Sequence, residues 1–375
     1  MSKENTNKKS GGILSGLLLL VVGIGILWYN EGRTVKNQGA INEARKNYID
    51  VSSKEIESKN DGKLVATNGK LDLSEAATLV DETFGVKADS ALMERKVEMY
   101  QWKEECETDD NNNKKCSYKK EWSDDVIDSS EFNDSKHTNP GSMPYDSEKY
   151  VAENVKMGAF TLPKDLLEKL STKKEKKNAD LTTEYTNPVE GYEVSGNYIT
   201  TVKEGETPEI GDVRISFSYN DATSVSVLAV QNDESFVKYT TKSGTSVYRI
   251  KEGTHNGQEI IQDMTDENTT IKWLLRLLGV LLEVLGIAAI LSPIKKLASF
   301  VPFLGGLVGA ATGLIALLGG LAISLVVIAV AWLRFRPILS ICLIAIVVVL
   351  VAILIMLKKK KPEEKQPAEA IINGN

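Results

Sequence analysis

Apolar residues are concentrated at the two ends of the chain, and the middle is polar with short alternating runs. Gly11 to Tyr29 carries no charge and is long enough to cross about 30 Å of hydrocarbon as a helix. The run leaves through Trp28 and Tyr29 into Asn30, Glu31, Gly32 and Arg33. It exits into interfacial aromatics and then charge, where a signal peptide would have a shorter apolar run followed by a small-x-small cleavage site, so an uncleaved anchor is expected. A second span is expected over 273–292. It is followed by a short basic loop with an interfacial or re-entrant stretch (293–307), then by spans over 308–333 and 338–357. The outermost segments, 1–10 and 358–375, form short tails.

Residues 30–272, about 240 of them, are enough for a packed domain. Val213 to Tyr219 and Ser224 to Val230 alternate apolar with polar around Asn220 and Asp221, which predicts a hairpin. Phe236–Thr240 and Thr245–Ile250 predict a second strand pair. Leu162 to Leu170 predicts a short helix opened by Pro163. Asp109–Asn113 and Ser171–Lys177 read as polar loops. Cys106 and Cys116 flank the first of these. If the two face each other, Glu104 meets Tyr118, Trp102 meets Lys120 and Tyr100 meets Trp122, with the aromatics and cysteines on one face. A disulfide is favoured there over two free thiols. The predicted class is a multi-pass α-helical membrane protein, with one N-terminal and three C-terminal spans and a large, strand-rich α+β extracytosolic domain.

Charge sets the expected orientation. Lys3, Lys8 and Lys9 precede the first span, Lys295 and Lys296 follow the second, and Lys358 to Lys361 follow the last. Four spans place all three of these basic sites in the cytosol, and Arg334 and Arg336 fall outside on a very short turn, against the rule. Both termini are therefore expected in the cytosol. The net charge of -6, with no basic run in the middle, argues against a nucleic-acid partner.

No metal-ligand, Walker, dinucleotide or nucleophile-elbow motif is present, and the two histidines, His137 and His255, have no second ligand at metal spacing. No enzyme, cofactor or metal site is therefore expected. Cys342, in the last span, reads as a small apolar residue. Two features inside the membrane stand out. Glu283 lies near the middle of the second span, where a carboxylate must be protonated, paired or turned toward other helices. A hydrogen bond to a neighbouring helix is favoured there over an ion path. Arg276, two turns earlier, is too far for contact along the helix. Gly305, Gly309 and Gly313 repeat every fourth residue, a spacing that suits either close helix packing or the flexibility of a re-entrant bend, and Gly12 and Gly16 are a weaker copy.

Four stretches resemble the transmembrane protein 43 family, also called LUMA. They are Trp28 to Arg33, with Asn30, Glu31, Gly32 and Arg33; Val97 to Trp102, with Tyr100, Trp102 and the following Tyr118 and Trp122; Gly211 to Tyr219 (Gly211, Asp212, Arg214, Ser216, Ser218, Tyr219), followed by Thr241 to Gly244; and Trp332 to Pro337, with Arg336 and Pro337. The resemblance implies a self-associating membrane organiser with no known active site, which in animals lies in the endoplasmic reticulum and inner nuclear membrane and binds emerin and lamins. The Lys- and Asn-rich composition suggests a bacterial relative at the cell membrane, where lamins cannot be partners. The Cys106/Cys116 hairpin departs from the family pattern. The expectation is a non-enzymatic oligomeric scaffold with membrane lipids, further copies of itself and other membrane or extracytosolic proteins as partners. The rival readings are a transporter or channel component using a polar seam at Glu283 and, more weakly, a membrane-tethered enzyme.

Overall fold

The computed structural model describes residues 4–108, 114–298 and 304–342, with Ala345 and Val349. Asp109–Asn113 and most of the expected span 338–357 lie outside the described residues. The chain divides into two compact units, one of residues 36–269 and one of the residues before and after that stretch.

Among the described residues, the helical unit is built on three helices long and apolar enough to cross a membrane. They are α1 (Glu4–Asn47), α2 (Gly257–Ala298) and α3 (Leu304–Phe335). The first has 44 residues and the second 42, about 66 and 63 Å at 1.5 Å per residue, twice the hydrocarbon thickness. Neither stops where its apolar run does. Past Tyr29, α1 buries Ala40, Ile41 and Ala44 on one stripe, which is reason for a polar segment to stay helical. Before Trp273, α2 buries Ile260, Ile261 and Met264 in the same way. Its start is fixed by a reciprocal capping box: Glu259 N–H donates to Asn256 Oδ1, and Asn256 N–H donates to Glu259 Oε2, both at 3.0 Å. Pro293, expected to close the second span, lies inside α2. The stretch 304–307, expected as interfacial or re-entrant, is the first turn of α3.

The strand-rich unit contains two sheets of seven strands each among the described residues. The first is centred on β1 (Leu64–Asp72) paired antiparallel with a later strand, β5 (Ser224–Asn232), in a register that sets Leu64 opposite Val230 and Lys70 opposite Ser224. The second is centred on β2 (Leu92–Thr108), which pairs with β3 (Lys114–Ser123) on one side and β4 (Val213–Tyr219) on the other. One apolar core joins the inner faces. It includes Val65, Val225, Val227 and Ala229 from the first sheet and Val97, Met99, Ile215 and Phe217 from the second, with Phe84 and Phe160. Leu64, Ala66 and Leu228 point the other way, onto Ile41, Ala44, Ile260, Ile261 and Met264.

The hairpin predicted between Val213 and Val230 does not form. β4 and β5 are consecutive but belong to different sheets. The expected turn residue Asn220 is buried at the crossing, donating through Nδ2 to Ser171 O (2.8 Å) and Glu252 Oε1 (2.9 Å). Alternation says that a strand has a buried face and not which strand it pairs with. β4 is buried at every second residue through Phe217, whereas β5 is buried from Val225 to Gln231 because both of its faces are covered. Within that run Ser226 donates its hydroxyl to Gly253 O (2.7 Å). The second expected pair forms over two residues a side, Tyr239–Thr240 with Ser246–Val247. The short helix runs from Lys164 to Leu167 with Pro163 as its cap, and Leu166, Leu167 and Leu170 are buried. Ser171–Lys177, expected as loop, supplies a two-residue strand, Lys174–Glu175, against Tyr219 and Ser218.

An ionic network with a buried Asp81–Arg95 pair at its centre and the exposed Glu148 at its edge anchors the second sheet. Asp81 is unexposed and Arg95 is 4% exposed. Arg95 Nη1 donates to Asp81 Oδ2 (2.5 Å), Nη2 to Glu148 (3.1 Å) and Nε to Asp146 O (3.0 Å), while Tyr150 OH donates to Asp81 (2.7 Å). A buried charge is tolerated when its donors and acceptors are satisfied in this way.

Candidate functional site: a carboxylate clamp among the spanning helices

The most demanding group in the helical unit is Glu31, on α1 just past the apolar run and fully buried. An unpaired carboxylate there would be costly. Arg276 of α2 donates from Nε (2.8 Å) and lies at 2.6 Å through Nη2, both to Oε1. Trp332 of α3 donates its indole N–H to Oε2 (2.9 Å). Arg336, immediately after α3, approaches the same oxygen through Nη2 at 3.8 Å. One carboxylate therefore ties three helices through charge-assisted bonds, which are about twice as strong as neutral ones.

The neighbours of Glu31 in sequence complete the joint. Asn30, also buried, donates from Nδ2 to Lys272 O at 2.9 Å. A Cβ on Gly32 would lie 2.9 Å from the Phe335 ring, so only glycine admits that ring at its present distance. Phe335 also meets Trp28 edge-on at 5.6 Å. Arg33 is half-buried, with Nε and Nη2 unpartnered among the described residues. Pro337 opens a further helical stretch, in which Ser340 N–H donates to Arg336 O at 3.1 Å. Two sequence stretches about 300 residues apart thus form a single joint. Arg276, too far from Glu283 for a contact along its own helix, has its partner, Glu31, on another.

A second polar contact lies deeper. Glu283 is fully buried and accepts the hydroxyl of Ser324 on α3. Helix contacts here depend on glycines other than the expected row. A Cβ on Gly16 would sit 2.6 Å from Gly286 O, and one on Gly286 would sit 2.8 Å from Gly16 O. Gly23 and Gly279 repeat this seven residues on, and Gly320 of α3 packs on Val284. Backbones approach this closely only where no side chain intervenes. Gly313, by contrast, has nothing within 4 Å of its Cβ position. Gly309 is half-buried, and the side chains of 294–307, hence the neighbours of Gly305, lie outside the described residues.

In the strand-rich unit Cys106 and Cys116 are paired across β2 and β3 and joined by a disulfide. Glu104 opposes Tyr118, Trp102 opposes Lys120 and Tyr100 opposes Trp122, the register derived from facing cysteines. The segment 124–139 covers this face: His137 stacks on Tyr118 at 3.9 Å and meets Trp102 edge-on at 4.4 Å. Asn139 accepts from Trp102 N–H (2.7 Å) and donates to Trp102 O (2.8 Å). Glu104 accepts from Tyr118 OH (2.6 Å) and from Asn133, and the Tyr118 bond, the largest effect, holds its carboxyl below the usual range.

The remaining motif residues of this unit act on the same hairpin. Gly211 has a φ of +96°, which favours glycine, and its N–H donates to Tyr100 O (2.9 Å), while Tyr100 N–H donates to Asp212 O (2.8 Å). The Asp212 carboxylate accepts from Thr201 Oγ1 (2.8 Å) and Glu209 N–H (2.7 Å). Arg214 donates to Glu98 (2.8 Å) with its guanidinium over both Trp122 and Tyr198, at 4.6 and 4.9 Å. Ser216 and Ser218 sit opposite Lys96 and Glu94, and the Tyr219 ring carries Lys176 Nζ at 5.0 Å. These residues position β-structure and do not converge on one pocket.

Three membrane-crossing helices joined at a buried carboxylate, together with a disulfide-bearing strand-rich unit, define an integral membrane protein with a large folded domain. A family model described as Transmembrane protein 43 matches residues 99–337. That range includes Trp102, Gly211 to Tyr219, Arg336 and Pro337 and leaves Asn30 to Arg33 before it. The chain belongs to the transmembrane protein 43 family. It is 28% identical over 354 residues to transmembrane protein 43 of Mus musculus and of Homo sapiens, covering 89% of this chain and 87% of each relative. It is 28% identical over 349 residues to the transmembrane protein 43 homolog of Drosophila melanogaster, covering 88% and 90%. No solved structure matches the chain.

Proposed function

We propose that this protein is a non-enzymatic membrane scaffold that self-associates through its C-terminal spans and presents residues 30–272 outside the cytosol to protein partners. The observation that carries the reading is the uneven use of glycine. Gly16, Gly23, Gly279, Gly286 and Gly320 are taken up by contacts within the chain, whereas Gly313 opens onto a face of α3 where Leu314, Leu317 and Leu318 are exposed. Lipid tails are as apolar as Leu, so such a face gains from another helix chiefly by close packing at small residues. Glu283 supports the scaffold over the transporter through its close packing: Oε2 accepts from Ser324, Oε1 is buried without a partner among the described residues, and a Cβ on Gly23 would lie 2.9 Å from its Cγ. Among the described residues of the other unit, the groups in the Asp81/Arg95 and Glu104/Tyr118 clusters satisfy one another and leave no convergent acid, base or nucleophile there.

The test is cysteine crosslinking in native membranes with Cys342 replaced by Ser. Gly313→Cys should form a disulfide between copies on mild oxidation, and a cysteine at Ala316, which is buried within the chain, should not. Equal crosslinking at the two positions, or none at Gly313→Cys, would reject the interface.

A further inference from the structure

Positive charge exceeds negative charge around Glu31. Arg276 and Arg336 both reach that one carboxylate. Lys272 is one turn before Arg276 on the same helix face. Among the described residues neither Lys272 nor Arg334 has an ion-pair partner. Lys272 Nζ and the Arg276 guanidinium flank the Trp273 ring at 5.5 and 5.0 Å, and Arg336 lies 5.5 Å from the Trp332 ring. These aromatic faces hold the cations in place without neutralising them. Three cations thus gather around a single buried anion, at the end of the spans that the lysine distribution marks as non-cytosolic. Cations are disfavoured there unless something answers them.

What adjoins the cluster indicates what answers it. Trp273 is 59% exposed, and Leu277, Leu281 and Leu285 follow it at four-residue intervals, at 58, 48 and 56%. This apolar stripe runs from the cluster along α2 for about 18 Å, roughly one leaflet. We propose that Lys272, Arg276 and Arg336 bind the phosphate of an anionic phospholipid, whose acyl chains lie along Trp273, Leu277, Leu281 and Leu285. Guanidinium groups suit phosphate oxygens geometrically, Lys272 adds a point charge, and the stripe supplies the contact that a free phosphate could not use. The inference rests on the membrane placement of the helical unit and not on self-association.

The experiment is native mass spectrometry of the full-length protein, delipidated in neutral detergent and then given equal amounts of phosphatidylglycerol and phosphatidylcholine. The wild type should retain phosphatidylglycerol at least about fivefold in preference. Lys272→Gln with Arg336→Gln should abolish that preference and leave the Arg276 and Trp332 bonds to Glu31 in place. Lys272→Gln alone removes no ion pair and should lower the preference about threefold, which decides the matter if the double variant does not fold. Millimolar inorganic phosphate should not displace the lipid. Equal retention of the two lipids by the wild type, or an undiminished preference in the variants, overturns the proposal. Displacement by phosphate overturns the lipid assignment in favour of a free anion. Subunit number is read from the same spectra, so a monomer that still selects phosphatidylglycerol counts against the scaffold alone.

Discussion

Replacing Glu31 by Gln removes the charge from the joint but keeps its volume. Arg276 would lose two charge-assisted contacts, at 2.6 and 2.8 Å, while a glutamine carbonyl could still accept from one donor. Removing one partner of a buried ion pair costs about 3–5 kcal/mol, and an ordinary interhelical hydrogen bond in a membrane contributes about 0.6 kcal/mol. Because Arg276 is 14% exposed and Gln retains an acceptor, Glu31→Gln is expected to cost about 2–3 kcal/mol. Arg276→Gln should cost a similar amount. The double variant leaves no uncompensated carboxylate, so the two changes should be less than additive by about 1–2 kcal/mol. The assay is reversible unfolding of the full chain in mixed micelles by added anionic detergent, followed through tryptophan fluorescence, since Trp28, Trp273 and Trp332 all lie in the helical unit. A Glu31→Gln variant within 0.6 kcal/mol of wild type, or strictly additive changes, would refute the clamp and leave only a neutral hydrogen bond.

Other consequences follow from the strand-rich unit and from the charge pattern. Cys106→Ser with Cys116→Ser opens a cross-link spanning 10 residues and should destabilise that unit by about 2–3 kcal/mol, measured by thermal unfolding with and without reductant; equal loss in reduced wild type is the matching control. Burial first, then Tyr145 and Tyr185, pushes the Tyr192 phenol up to about 12. A pKa raised on folding adds stability that is complete below the unfolded value near 10 and lost as pH rises through 12. Absorbance at 295 nm should therefore show Tyr192 silent until unfolding begins in that window, whereas Tyr192→Phe should unfold at higher pH. Accessibility tags at both ends should be reached only from the cytosolic side, and one in Asp109–Asn113 only from the other; any tag at an end that shares the loop's side contradicts the orientation.

Much of this architecture could be read along the chain because it is local. With Cys106 facing Cys116, a period of two gives the pairs Glu104–Tyr118, Trp102–Lys120 and Tyr100–Trp122 that the ladder shows, and uninterrupted apolar runs mark the spans. What could not be read depends on partners distant in sequence. β4 and β5 both alternate, yet nothing in either says that the chain passes between sheets at Asn220. α1 continues past Tyr29 because Ile41 and Ala44 pack on Leu64, Ala66 and Leu228, residues of a sheet whose strands are far apart in sequence. The capping box at Asn256 and Glu259 is a local four-residue pattern that sets the start of α2 sixteen residues before Trp273. Glu31, Trp332 and Arg336 each stood out at the end of a span. Their meeting follows from the rule that an intramembrane charge needs a counterion, which for Arg276 lies on another helix.

The scaffold reading stands or falls on how many copies share one assembly in a bilayer. Step counting of a fluorophore at the C-terminus, in membranes at low expression, measures this directly. The account predicts several bleaching steps per particle for wild type. Gly309→Leu with Gly313→Leu, which thickens the open face of α3 and leaves the Glu31 joint untouched, should give mainly one. Wild-type particles that bleach in a single step would contradict self-association through the spans.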